Sequence, residues 1–167
     1  CNEFFRNKKK YPQGMWEQVV ANLKKVEKAM GMQFGDAVNP LLVSVRSGAK
    51  FSMPGMMDTV LNLGLNDTTL KALLHKTGNE RFGYDAYRRF ITMFGSIVMG
   101  IDRQVFEKAL ERRKERKGVH LDTALSAQDL KDLVNEYKAI YKSETGTDFP
   151  QQPLEQLKLA INAVFGS

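Results

Sequence analysis

Cysteine is all but missing from this chain: Cys1 is the single example in 167 residues, and histidine occurs only twice. One thiol cannot close an internal disulfide, and no Cys/His cluster has the spacing of a zinc site. The expected setting is therefore reducing and intracellular, with the cytoplasm as the default. Long apolar runs are missing too. None approaches the roughly 20 residues that cross a bilayer, and the opening CNEFFRNKKK has no signal-peptide apolar region, so no membrane partner is expected. Internal repeats and low-complexity segments are also absent. A start at Cys1 and an end inside the apolar pattern AINAVFGS suggest a piece of something longer.

What is present reads as a globular domain. Hydrophobic residues make up 43% and charged residues 26%, near the averages for such domains. Lys and Arg outnumber Asp and Glu by 25 to 19, a balance of +6 that favours anionic partners without choosing among nucleotides, nucleic acids and acidic surfaces.

Hydrophobic spacing organises the chain. Trp16, Val19, Val20, Leu23, Val26 and Met30 recur at helical period and Gly31 can cap their C-terminal end, which predicts a helix over 15–30. LLVSVR at 41–46 reads as a strand ending in Arg46, and TVLNLGL as a second strand beyond a loop of small residues. From Asp67 helical periodicity takes over for about 80 residues. Asp67 is the expected cap of a helix with Leu70, Leu73 and Leu74. Tyr87, Phe90, Phe94, Ile97, Val98 and Ile101 line a longer helix, and Val105, Phe106, Ala109 and Leu110 continue the pattern. Ser126 with Asp129 reads as a capping box before Leu130, Leu133, Val134, Tyr137 and Tyr141. Pro153 suits the first turn of a last helix with Leu154, Leu157, Ile161, Val164 and Phe165 on its buried side.

The segment PLLVSVRSGAKFSMPGMMDTVLNLGLND, from Pro40 to Asp67, carries the chemistry. An Arg at a strand end beside a small-residue loop can set a planar guanidinium next to backbone N–H donors, which suits a polyphosphate. Periodicity alone leaves the alternative open that Arg46 pairs with a carboxylate and SGAK and MPGM are ordinary turns. Other candidates read as structural. His75 and His120 fit surface or partly buried positions. ERRKERK at 111–117 reads as the solvated face of an amphipathic helix, and Arg81, Arg88 and Arg89 fall where a helix needs polar flanks. Met53, Met56 and Met57 have core packing as their default, with a mobile purine-contacting loop as the alternative.

The same segment resembles the N-terminal ATP-binding domain of the pyruvate phosphate dikinase family. So do MGMQFGDAVNP at 30–40, NERFGYDAYRRFITMFGSIVMGID at 79–102 and the ending FPQQPLEQLKLAINAVF, all in the same order. The resemblance implies an ATP-grasp fold. Arg46 would contact the transferring phosphates, and Ser47, Gly48, Ser52, Met53, Pro54, Gly55, Met56 and Met57 would form the loop beside them. Asp58 and Thr59 match the family run without an assigned ATP contact. The family's upstream Gly-rich segment with its phosphate-binding Lys does not occur here. Neither do its acidic Mg²⁺ ligands or its phosphohistidine motif, so ATP and Mg²⁺ are the implied cofactors with the metal ligands outside this chain.

The expected fold class is thus α+β, a partial ATP-grasp domain from residues 1–66 and 150–167 interrupted by a helical subdomain at 67–149. The implied activity is phosphorylation of a catalytic histidine from ATP and phosphate, followed by interconversion of pyruvate and phosphoenolpyruvate. The implied partners are the phosphohistidine and pyruvate-binding domains of a parent that is a homo-oligomer, with no nucleic acid. Isolated, the segment is expected to be inactive. Two rivals stand beside this reading. One is a related dikinase such as phosphoenolpyruvate synthase, and the other is a noncatalytic basic nucleic-acid-binding module.

Overall fold

Helix α1 (Asn2–Arg6) precedes α2 (Met15–Met30), which ends where Gly31, at φ 64°, turns left-handed and its N–H bonds the carbonyl of Glu27. The computed structural model describes residues 2–8, 10–46 and 59–166. The apolar stripe of α2 is only partly covered. Trp16, Val19 and Leu23 pack against the core, while Val26 and Met30 on the same stripe are exposed. Glu27 also receives the N–H of Phe34 at 2.8 Å, which aligns β1 (Gln33–Phe34).

The strand expected over 41–46 is divided. β2 (Pro40–Leu41) pairs in parallel with β1, whereas β3 (Val43–Val45) pairs antiparallel with β4 (Val60–Leu63). The expected second strand thus forms as β4, paired antiparallel with β3, and the segment expected to be a loop between them, 47–58, lies outside the described residues. Just past β4, Gly64 sits at φ 100°, and a Cβ there would lie 2.7 Å from the ring of Phe34. Backbone conformation and close approach both require glycine at that position.

Helices dominate the rest: α3 (Asp67–Thr77), α4 (Glu80–Met93), α5 (Arg103–Lys117), α6 (Ala127–Thr145) and α7 (Pro153–Gly166). The cap of α3 is Asn66, one residue before the expected Asp67. Asn66 lies in extended conformation and accepts from Thr68 and Thr69, and the Thr69 hydroxyl accepts the Asn66 N–H. Asp67 instead accepts from the Tyr87 hydroxyl at 3.0 Å and pairs with Lys138. The long helix expected through Ile101 is interrupted. After α4 the chain widens into a π-helical segment, Phe94–Val98, and Asp102 then caps α5. Gly95 lets the π segment approach Phe106, whose ring would be 2.9 Å from an added Cβ. The Ser126–Asp129 capping box forms as expected.

One hydrophobic cluster joins β4 (Val60, Leu63) to α4, α6 and α7. Phe149 is its aromatic hub, with Tyr87, Phe90, Phe94 and Tyr141 arranged edge-on around it at centroid distances of 5.2 to 6.2 Å. On α7 the buried positions are Gln156, Leu157 and Ala160, and Leu154 faces solvent, contrary to expectation. The ERRKERK stretch is also not simply a solvated face. Lys114 is buried against Glu111 and Asp122, Arg113 reaches Asp132 at 3.0 Å, and Lys117 reaches Asp129 at 3.0 Å, so this face docks α5 onto α6 and the turn before it.

Candidate functional site

β3 and β4 form a hairpin whose mouth carries the candidate site. Val45 pairs with Val60, so Arg46 and Thr59 leave the two strands at the same end. Alternation along β3 puts Val43 and Val45 on the core side and Ser44 on the exposed side. Arg46, the next residue beyond the strand, is exposed. The remaining sequence-derived positions, Ser47, Gly48, Ser52, Met53, Pro54, Gly55, Met56 and Met57, together with Asp58, lie outside the described residues.

Behind the hairpin stands a buried polar scaffold that periodicity did not reveal. Gln156 is fully buried in α7, where its Oε1 accepts the N–H of Gly64 at 2.9 Å and its Nε2 donates to the carbonyls of Leu65 and Pro150. Thr69 donates to the Gly64 carbonyl at 2.8 Å, and Asn66 donates through Nδ2 to the carbonyl of Gln151. The backbone leaving β4 therefore has its polar groups matched by side chains, which fixes the exit of the hairpin. The available sequence signal was weak: a lone Gln beside Leu157 on an otherwise apolar helix.

Electrostatics elsewhere are structural. Arg88 is buried and bonds both Asp85 and Asp122 at 2.8 Å, while Arg81 donates to the carbonyls of Leu125 and Asp122. These guanidinium groups are spent on packing α4 against the turn before α6. Burial raises the Tyr87 phenol well above its ordinary value and pushes Tyr141 up to about 12, so both stay protonated at neutral pH. His75 and His120 are exposed. Two surface recesses, of about 490 and 390 Å³, are lined around Lys24, Lys28 and Asn39 and around Arg6, Lys8 and Tyr11; neither includes Arg46. Among the described residues no group of three or more His, Cys, Asp or Glu side chains is arranged to hold a metal ion. Among them, too, no helix is long and apolar enough to cross a membrane.

Comparison with known proteins adds to this geometry. The family model described as pyruvate phosphate dikinase, AMP/ATP-binding domain, matches residues 9–167. The chain is 55% identical over 167 residues to the chloroplastic pyruvate, phosphate dikinase of Flaveria pringlei, covering 100% of this chain and 17% of that protein. It is 54% identical to the chloroplastic pyruvate, phosphate dikinase 1 of Arabidopsis thaliana, with the same coverage. Identity to the pyruvate, phosphate dikinase of Clostridium symbiosum is 50% over 168 residues, 100% of this chain and 19% of that protein. The chain thus spans less than a fifth of the length of these relatives.

Proposed function

The chain belongs to the pyruvate phosphate dikinase AMP/ATP-binding domain family, and from that premise we propose that it supplies one wall of the ATP-phosphate site in a longer dikinase. The observation that carries this is the position of Arg46, exposed at the mouth of a hairpin that lies inside the matched region. In this reading ATP and phosphate phosphorylate a histidine on another domain of the parent, with release of AMP and pyrophosphate. The histidine then exchanges its phosphoryl group between pyruvate and phosphoenolpyruvate. Arg46 holds phosphate oxygens in its planar fork as charge redistributes during transfer. Ser47, Gly48 and the run from Ser52 to Met57 form the loop beside those phosphates.

The domain is read as ATP-grasp, with 1–66 and 150–167 forming its nucleotide-binding part and 67–149 an inserted helical subdomain. In support, the start of the insert is tied to the segment just past its end: Asp67 donates its N–H to the Gln151 side chain at 2.9 Å. Mg²⁺, when bound, neutralises phosphate charge, and its ligands belong to segments outside this chain. The parent is a homo-oligomer in an intracellular compartment, cytoplasmic by default. The basic-module alternative is weakened because Arg81, Arg88, Arg113, Lys114 and Lys117 are engaged in intramolecular contacts.

The test uses the full-length parent. Removing one such contact costs about 3 to 4 kcal/mol of transition-state stabilisation, so Arg46→Ala is expected to slow phosphorylation of the enzyme from ATP and phosphate roughly a hundredfold or more. Arg46→Lys keeps the charge without the fork and falls between. The exchange between pyruvate and phosphoenolpyruvate, measured without ATP, stays near normal in both. Its collapse together with the ATP half-reaction would make Arg46 a folding residue. Release of free phosphate in place of pyrophosphate would favour the phosphoenolpyruvate synthase alternative.

A further inference from the structure

Both strands of the hairpin have an outer face that the core does not use. Alternation in β3 is unbroken: Val43 and Val45 pack against the core, so Ser44 and Arg46 stand on the other side, and both are exposed. Val45 pairs with Val60, which is fully buried, so the next pair outward, Arg46 with half-buried Thr59, faces away from the core. Residues directly opposite in an antiparallel pair hold their Cβ atoms about 4.5 to 5.5 Å apart. Thr59 is therefore a neighbour of Arg46 on one surface.

The same face continues along β4, where Leu61 follows buried Val60 and is half exposed. Between the pairs Val43 with Leu63 and Val45 with Val60, Ser44 stands opposite two residues, Leu61 and Asn62, and the extra one is taken up at Asn62, whose φ of 61° is left-handed. Leu63 returns to the core past that bulge, and Leu61 keeps the outward side. The outer face thus presents a cation and a hydroxyl at its mouth, then a hydroxyl and a leucine two residues further in, about 7 Å along the strand. These four residues include one cation and no carboxylate, which favours an anionic occupant. A phosphate suits the first pair, and the less polar body of a nucleotide suits the second. We propose that ATP lies along this outer face, with Thr59 donating its hydroxyl to the phosphate held by Arg46 and Leu61 packing against the sugar and base. The inference rests on the reading of Arg46 given above and adds two ligand-contacting residues to it.

The experiment uses the full-length enzyme, with the ATP half-reaction and the ATP-independent exchange of pyruvate with phosphoenolpyruvate measured side by side. Thr59→Val keeps the shape but loses the hydroxyl, and is expected to slow the ATP half-reaction about tenfold, whereas Thr59→Ser, which keeps the hydroxyl, recovers most of that loss. Equal rates in the two variants overturn the proposal. In an Arg46→Ala background Thr59→Val should cost clearly less than it does alone, because both groups hold one phosphate. Full additivity overturns it. Should Thr59→Val fail to fold, Leu61→Ala, at an exposed position outside the core, keeps the proposal testable. It is expected to raise the KM for ATP about fivefold with little change in kcat, and Leu61→Met to restore it. An unchanged KM in Leu61→Ala means that something other than the nucleotide covers this face, and overturns the proposal. So does collapse of the pyruvate exchange in these variants, which marks folding residues. If Arg46→Ala itself leaves the ATP half-reaction intact, the assignment of Arg46 has failed, an outcome distinct from a slow Arg46→Ala enzyme beside an unaffected Thr59→Val.

Discussion

Gln156 illustrates how one buried amide can organise backbone from three places. Its three hydrogen bonds serve the Gly64 N–H and the carbonyls of Leu65 and Pro150, groups that otherwise face the core unpaired. Leaving a buried polar group unsatisfied costs about 1 to 3 kcal/mol each, so Gln156→Leu should destabilise the domain by about 3 kcal/mol or more despite adding apolar volume. Calorimetry should then show Tm lower by roughly 6 °C or more. A loss below about 1 kcal/mol would mean that water reaches these groups. Gly64 illustrates the complementary demand for no side chain at all, since φ and the Phe34 ring both exclude a Cβ.

Among the helices, α6 has the best-defined beginning. The Ser126 hydroxyl donates to Asp129 at 2.6 Å and accepts the Asp129 N–H at 3.2 Å. That hydroxyl, aided by Lys117, holds the Asp129 carboxyl below its ordinary value against the opposing effect of burial. A carboxyl held low in the folded state adds stability above its unfolded pKa of about 4, and the contribution disappears as pH falls through the lower folded value. Ser126→Ala should cost about 1 kcal/mol near neutral pH and shift the acid-unfolding limb toward higher pH. Asp129→Asn should be less stable at pH 7 yet lose less than the parent chain on acidification. Parallel pH profiles for these proteins would show that the cap is not linked to Asp129 ionisation.

The whole molecule joins a small hairpin, backed by α7, to a larger helical body. Contact between α4 and α6 is the broadest between any two helices, and the Phe106–Tyr137 ring pair, 5.1 Å between centroids, packs α5 onto it. The hairpin has two short strands and one paired edge. If 67–149 is an inserted subdomain, amides in α4 and α6 should exchange through a common opening of higher free energy than those of Val43, Ser44 and Val45. Hydrogen exchange with one opening energy across both regions would remove the division. The continuous cluster from Val60 through Phe90 to Leu157 makes this a demanding test.

Local rules in the sequence were enough for the course of α2 and its Gly31 cap, the Ser126–Asp129 box, the two strands β3 and β4 and Arg46 at a strand end. Each depends on residues within a turn or two of one another, and long ordered motifs carried the family resemblance. Tertiary structure decided the rest. Asn66 and Asp67 are both capable caps, and backbone direction at the end of β4 chose Asn66. The LLVSVR run divides because β2 and β3 find different partners, and the helix through Phe94 widens to seat Gly95 against Phe106. Gln156 is inward and Leu154 outward because unpaired backbone at Gly64 and Leu65, about 90 residues away in sequence, needs an amide more than the core needs another leucine. Periodicity registers which residues are apolar, but not which distant polar groups await a partner, and only the fold brings those together.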